Sequence, residues 1–142
     1  MHQSLKLSLL GLRVSLGWLF LYAGVTKILN PEWTAAGFLK GAQTFPELYA
    51  WFAAAENITW VNLLNEWGLT LIGISLIFGL WVRWSALFGI VIMSLYYLPG
   101  LNFPYVGEHS LLVDEHIIYI FAFLTLIFTK AGYFWGLDGR NR

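Results

Sequence analysis

The stretch Val61–Leu98, VNLLNEWGLTLIGISLIFGLWVRWSALFGIVIMSLYYL, is apolar for almost its whole length, and it decides the fold. Arg83 divides it into two runs, Val61–Val82 and Trp84–Leu98, with no room between them for more than a tight turn. A helix rises 1.5 Å per residue, so about 20 apolar residues cross a bilayer core. The first run is long enough and the second is short, with Pro99-Gly100 ending it. Together they predict an antiparallel hairpin of membrane helices.

Working outward, Leu5–Leu29 and Leu111–Thr129 are two further apolar stretches. The expected fold is therefore an all-α integral membrane protein, a single domain over residues 1–142 with four transmembrane helices in one bundle. Asn30-Pro31 opens a mixed connection, within which Pro46 can start a short interfacial helix running through Phe52. Arg13 inside the first apolar stretch and Lys27 near its end argue against a cleaved secretory leader.

Composition agrees. The 142 residues are 58% hydrophobic and 11% charged, where soluble domains carry roughly 25% charge. Net charge is zero, which gives no footprint for nucleic acid. There are no cysteines, so thiolate chemistry, disulfides and iron–sulfur ligation are excluded. Of three histidines only His116 falls on a predicted helix, so the chain cannot assemble two axial haem ligands. No phosphate-cradling glycine loop is present, no flavin site is evident, and no i,i+3 or i,i+4 ligand pair predicts a metal site. Any electron-transfer centre is expected on another subunit.

Orientation follows from the basic residues. Lys6, Arg83, Lys130, Arg140 and Arg142 fall on one side, against Lys40 and the helix-end Lys27 on the other. The positive-inside rule then places both termini in the cytoplasm of a cell-membrane protein. Asn57-Ile58-Thr59, a glycosylation sequon, falls on the outer side.

A charge near the bilayer centre costs on the order of 3 kcal/mol, so each intramembrane charge is a candidate for an interior site. At about 100° per residue, Gly17, Gly24 and Lys27 lie within roughly 40° of Arg13, a stripe that lets a neighbouring helix approach closely. Asn62, Thr70 and Gly73 lie similarly about Glu66, and the two stripes are expected to meet. Lys27 and Glu66 share the outer half with Tyr96, Tyr97, Asp114, Glu115 and His116, whereas Arg13 is alone in the inner half. Lys27 either snorkels to headgroups or faces the interior. Glu66 either pairs with Lys27 or keeps its proton. Asp114 and Glu115 either complement a helix dipole or join the site. His116 either ties a loop to its helix or moves protons, being the side-chain type that ordinarily titrates near neutral pH. Arg13 either reaches phosphates or pairs with Asp138.

The strings LRVSLGWLFLYAGVTKI (12–28), WGLTLIGISLIFGLWVRWSA (67–86), LLVDEHIIY (111–119) and KAGYFWGLD (130–138), in this order, resemble the DoxX/DoxD family of small four-helix membrane proteins. The pattern Arg13…Gly17…Ala23-Gly24…Lys27 and the closing Ala131-Gly132…Gly136-Leu137-Asp138 carry the likeness, which spans nearly the whole chain. It implies the fold and a link to respiratory chemistry, since some of the family are subunits of a thiosulfate:quinone oxidoreductase that work with a second subunit. The expectation is a membrane subunit of a quinone-linked oxidoreductase. His116, Glu66 and Lys27 would be its catalytic groups, and Arg13, Tyr96, Tyr97, Asp114 and Glu115 its quinone-binding groups. The alternatives are an accessory subunit docking a larger membrane complex and a small proton-coupled transporter.

Overall fold

A computed structural model describes residues 1–140; Arg142, counted above in the charge asymmetry, lies outside the described residues. The chain is mostly helical. The helices are α1 (Gln3–Ile28), α2 (Ala36–Lys40), α3 (Pro46–Ala53), α4 (Ile58–Phe78), α5 (Val82–Gly100) and α6 (Glu115–Phe128). A small antiparallel hairpin, β1 (Leu101–Asn102) with β2 (Tyr105–Val106), pairs Leu101 with Val106 and Asn102 with Tyr105, a departure from the all-α expectation. Short 3-10 turns at Ala131–Tyr133 and Leu137–Gly139 close the described chain.

Helices α1, α4 and α5 are long and apolar enough to cross a membrane. Helix α6 is not, by its own length. Its 14 residues span about 21 Å against a hydrocarbon core of about 30 Å. The predicted stretch began at Leu111, but Asp114 takes an extended backbone conformation and caps the helix, so residues 111–113 stay in the preceding loop. The turn between α4 and α5 also falls earlier than Arg83. Gly79 adopts φ +67°, ending α4 in the left-handed conformation that glycine tolerates, and Arg83 sits in the first turn of α5. Helix α5 continues through Pro99, so the proline occupies its last turn rather than stopping it.

Helix α1 packs along α4, and α5 along α6, with lighter α4–α5 and α1–α6 contacts. The α1–α4 seam is the predicted small-residue one. A Cβ at Gly73 would lie 2.6 Å from Leu21 Cα and 2.7 Å from Gly17 O, and one at Gly24 would lie 2.8 Å from Glu66 O. In the second pair the Phe123 ring fills the space above Gly89 and meets Phe20 edge-on at 5.2 Å. Phe123, Leu76, Leu126 and Ala86 are fully buried at the centre of this core.

A second, smaller core lies where α1 ends and α4 begins. Ala35, Leu39, Ala42, Tyr49, Ala53 and Val61 pack there, so α2 and α3 form a cap over the bundle end. The cap is fastened by Asn62 Oδ1, which accepts from Ala35 N at 3.0 Å, and by Tyr49 Oη, which donates to Leu95 O at 2.8 Å. Gln43 N and Thr44 Oγ1 donate to Pro99 O and Leu101 O, joining the cap to the β hairpin. Asn62 thus serves the cap rather than the α1–α4 seam. Asn57 is buried, and its Nδ2 donates to Trp51 O at 2.8 Å, so the sequon's acceptor nitrogen is engaged inside the fold.

Candidate functional site

Under the cap lies a cavity of about 290 Å³, walled by Trp33, Phe38, Tyr49, Phe52, Trp60 and aliphatic side chains. Polar side chains from four helices line it, Lys27 from α1, Asn65 from α4, Tyr96 from α5 and His116 from α6, together with Thr34 from the connection after α1. A mostly apolar chamber with a few convergent polar groups is the usual form of a small-molecule site, though its volume is at the low end of the usual range of about 300–1,000 Å³.

Asp114 builds the His116 corner. As N-cap of α6 its Oδ1 accepts from His116 N at 3.0 Å and Ile117 N at 3.3 Å, while Oδ2 lies 2.7 Å from His116 Nδ1. A carboxylate on Nδ1 holds the proton there, which leaves the Nε2 lone pair as the ring's free function. The ring stands edge-on to Tyr96, with centroids 5.9 Å apart. The Tyr96 hydroxyl donates to Asn65 Oδ1, and Asn65 Nδ2 donates to Val61 O at 2.8 Å. Tyr96 therefore offers a ligand its oxygen lone pairs, and its proton only after leaving Asn65. Lys27 Nζ donates to Ala23 O at 3.2 Å and lies 5.3 Å from the Trp33 ring, with two further N–H groups to give. Outside the membrane helices, burial pushes the Tyr49 phenol up to about 12, so it stays protonated and holds its bond to Leu95.

The arrangement can hold a flat ring between aromatic walls. It can present a cation to electron-rich oxygen, and it can give or take a proton at His116 Nε2. Among the described residues no group of three or more His, Asp and Glu side chains gathers that could hold a metal ion.

Several predicted residues are elsewhere. Glu66 does not line the cavity and makes no ion pair with Lys27; it lies on the α4 stripe turned to α1, its carboxylate without a partner among the described residues. Tyr97 donates to Leu112 O and anchors a loop. Glu115 is exposed on the first turn of α6, where its charge complements the helix dipole. Asp114 acts through His116 rather than on the cavity directly. Sequence reasoning missed Asn65 and the aromatic walls. The tryptophans and the Pro46 helix were visible as features, but nothing local showed that they fold over the bundle end.

Arg13 is the clearest correction. It is only 1% exposed, and its guanidinium is held at the opposite end of the molecule by the segment that follows α6. Nη1 donates to Ala131 O at 2.7 Å and Phe134 O at 3.1 Å, and Nη2 donates to Trp135 O at 3.2 Å. Asp138 does not bond it directly; its carboxylate caps α5, accepting from Trp81 N at 2.6 Å and Val82 N at 3.0 Å, near enough to act on Arg13 electrostatically. Gly79, Gly132 and Gly136 leave the space this requires. A Cβ at Gly136 would lie 2.8 Å from Arg13 Nη1, and one at Gly132 would collide with the Asp138 carboxylate.

Residues 8–98 match the sequence model of the DoxX family, almost two thirds of the chain. The chain belongs to the DoxX family. With its three long apolar helices, it is a multi-pass membrane protein. Neither a curated protein nor a solved structure matches it. The DoxX match includes Lys27, Asn65 and Tyr96 of the cavity and Arg13 at the opposite end of the bundle. It stops before Asp114, His116 and the carbonyls that bind Arg13, so the likeness expected over nearly the whole chain is shown for this part.

Proposed function

We propose that this DoxX protein is the membrane subunit of a quinone-linked oxidoreductase and that the capped cavity receives the quinone ring. Four helices cross the membrane in this reading, both termini lie in the cytoplasm, and the short α6 reaches the surface through its flanking loops. The supporting observation is the convergence of Lys27, Tyr96 and the Asp114-oriented His116 on one aromatic chamber. These groups fit a quinone: aromatic walls stack a planar ring, and the Lys27 ammonium and a protonated His116 donate to carbonyl oxygens. A quinone that takes up two electrons also takes up two protons. In this reading His116 Nε2 passes one of them while Asp114 holds the ring at Nδ1, and the other comes from solvent. The electrons come from a partner subunit.

Trp33 and Trp60 border the cavity, so their fluorescence tests the reading. Purified protein should show saturable quenching by a tailless benzoquinone, and Lys27→Met should weaken it at least tenfold. In the complex with its electron-donating partner, His116→Gln should assemble normally and lower quinone reduction by about 10²-fold or more. Absence of saturable quenching, or His116→Gln working at the native rate, would refute the assignment.

An accessory, non-catalytic role draws on one different observation. Glu66 lies close to the midpoint of α4, half-buried, with a carboxylate that has no partner among the described residues, the kind of group that a basic side chain of a neighbouring subunit would neutralise. A Glu66→Gln protein that loses its partner in co-purification while still binding benzoquinone would favour that role.

A further inference from the structure

Below the cavity, on the membrane face between α4 and α5, runs a groove of about 810 Å³. It arises because α4 packs chiefly on α1 and α5 chiefly on α6, leaving the two helices loosely paired between the cavity and their turn. Leu64, Gly68, Leu71, Trp84, Phe88 and Ile92 are among its walls, and it extends along α4 as far as Phe78. That is about 21 Å of helix. Its two hydroxyls make no demand on a ligand, since Ser85 donates to Ser75, and Ser75 to Leu80 O.

The groove is not an isolated apolar face. Leu64 and Ile92 line both it and the capped cavity, so the two spaces adjoin at these two flexible side chains. Gly68 lines the groove beside Ile92; a Cβ there would make an ordinary contact with Ile92 Cδ1 at 3.5 Å, so a larger side chain would project toward that junction. The cavity, at about 290 Å³, has no room for a ring together with a long apolar chain, and the α4–α5 groove that adjoins it at Leu64 and Ile92 offers such a chain an apolar bed. We infer that the α4–α5 groove seats the apolar tail of the ligand whose head lies in the cavity. The ligand is then a single-chain membrane amphiphile with a planar, carbonyl-bearing head. One cation and aromatic walls suit such a head better than the phosphate of a two-chain lipid.

The inference rests on the cavity being a head site, and the test separates the two. Wild-type protein in nanodiscs is given a benzoquinone without a tail, the same ring with a polyprenyl tail, and a polyprenyl benzoquinone carrying a diazirine near the tail end. Photolabelling should fall on groove residues such as Leu71 and Phe88. Gly68→Leu should weaken tailed-ring binding at least tenfold while leaving the tailless ring unaffected; comparing the two proteins cancels partition into lipid. Labelling on other helix faces, or full competition by a diacyl phospholipid, would overturn the tail assignment even with the ring bound. An unlabelled groove with no binding of the tailless ring would remove the head site as well. Photolabelling uses the wild-type protein, so the result stands whether or not Gly68→Leu folds.

Discussion

Replacing Arg13 by Leu should release the segment after α6. The guanidinium makes three charge-assisted hydrogen bonds to carbonyls, the one to Ala131 buried and those to Phe134 and Trp135 partly so, each worth about 1.5–3 kcal/mol. Its buried Nε, without an acceptor among the described residues, offsets part of that. Leaving acceptors unsatisfied costs about 1–3 kcal/mol each, so a total of about 3–5 kcal/mol is the magnitude expected. The loss should be read locally, by hydrogen exchange of the Trp81 and Val82 amides, which Asp138 caps, and of the Asp138 amide, which donates to Gly79 O. At 1.4 kcal/mol per tenfold, their protection should fall by about 10²-fold or more. The detergent-solubilised protein should also melt at lower temperature, while exposed Arg140→Ala should change neither readout. Native protection of these three amides in Arg13→Leu would refute the latch.

Gly73→Leu should separate α1 from α4 and abolish the folded, monodisperse protein in detergent, because its Cβ already meets the α1 backbone; Gly11→Leu, with open space around it, should leave the chromatographic profile unchanged. Tyr49 has a folded-state pKa raised to about 12 above an ordinary value near 10, so its contribution is complete below pH 10 and is lost as pH rises toward 12. Cap stability followed by tryptophan emission should fall over that window, and Tyr49→Phe should flatten the fall. Under the proposed orientation, cysteines at exposed Glu56 and His109 should react with an impermeant reagent in intact cells and one at Arg140 should not; the reverse pattern would move the cavity to the cytoplasmic side.

The long helices were legible because apolar length is a local property, and the α1–α4 seam because Gly17 and Gly24, seven residues apart, fall on one helix face. The site was legible only as a region. Glu66 and Asn65, or Tyr97 and Tyr96, are neighbours in sequence but point about 100° apart on a helix, so depth alone picked the wrong residue of the first pair and could not choose within the second. Arg13 shared a helix stripe with Lys27, yet 14 residues of helix put about 21 Å between them. Its true partners are backbone carbonyls 118 to 122 residues away, which carry no side-chain signature. The length of α6 was overestimated because Leu111–Val113 are as apolar as the helix they precede, and only the Asp114 cap marks where it starts.

The latch also sets an order of events during synthesis. Arg13 enters the membrane with the first helix, but Ala131, Phe134 and Trp135 are made more than a hundred residues later. In the interval α1 carries an unanswered cation in hydrocarbon, and the first turn of α5 waits for a carboxylate 56 residues downstream. A half-made chain is thereby marked as unfinished at two points, both on the side where the termini emerge. One short segment, made after both, answers both: the carbonyls of Ala131, Phe134 and Trp135 take the Arg13 guanidinium, and the Asp138 carboxylate caps α5.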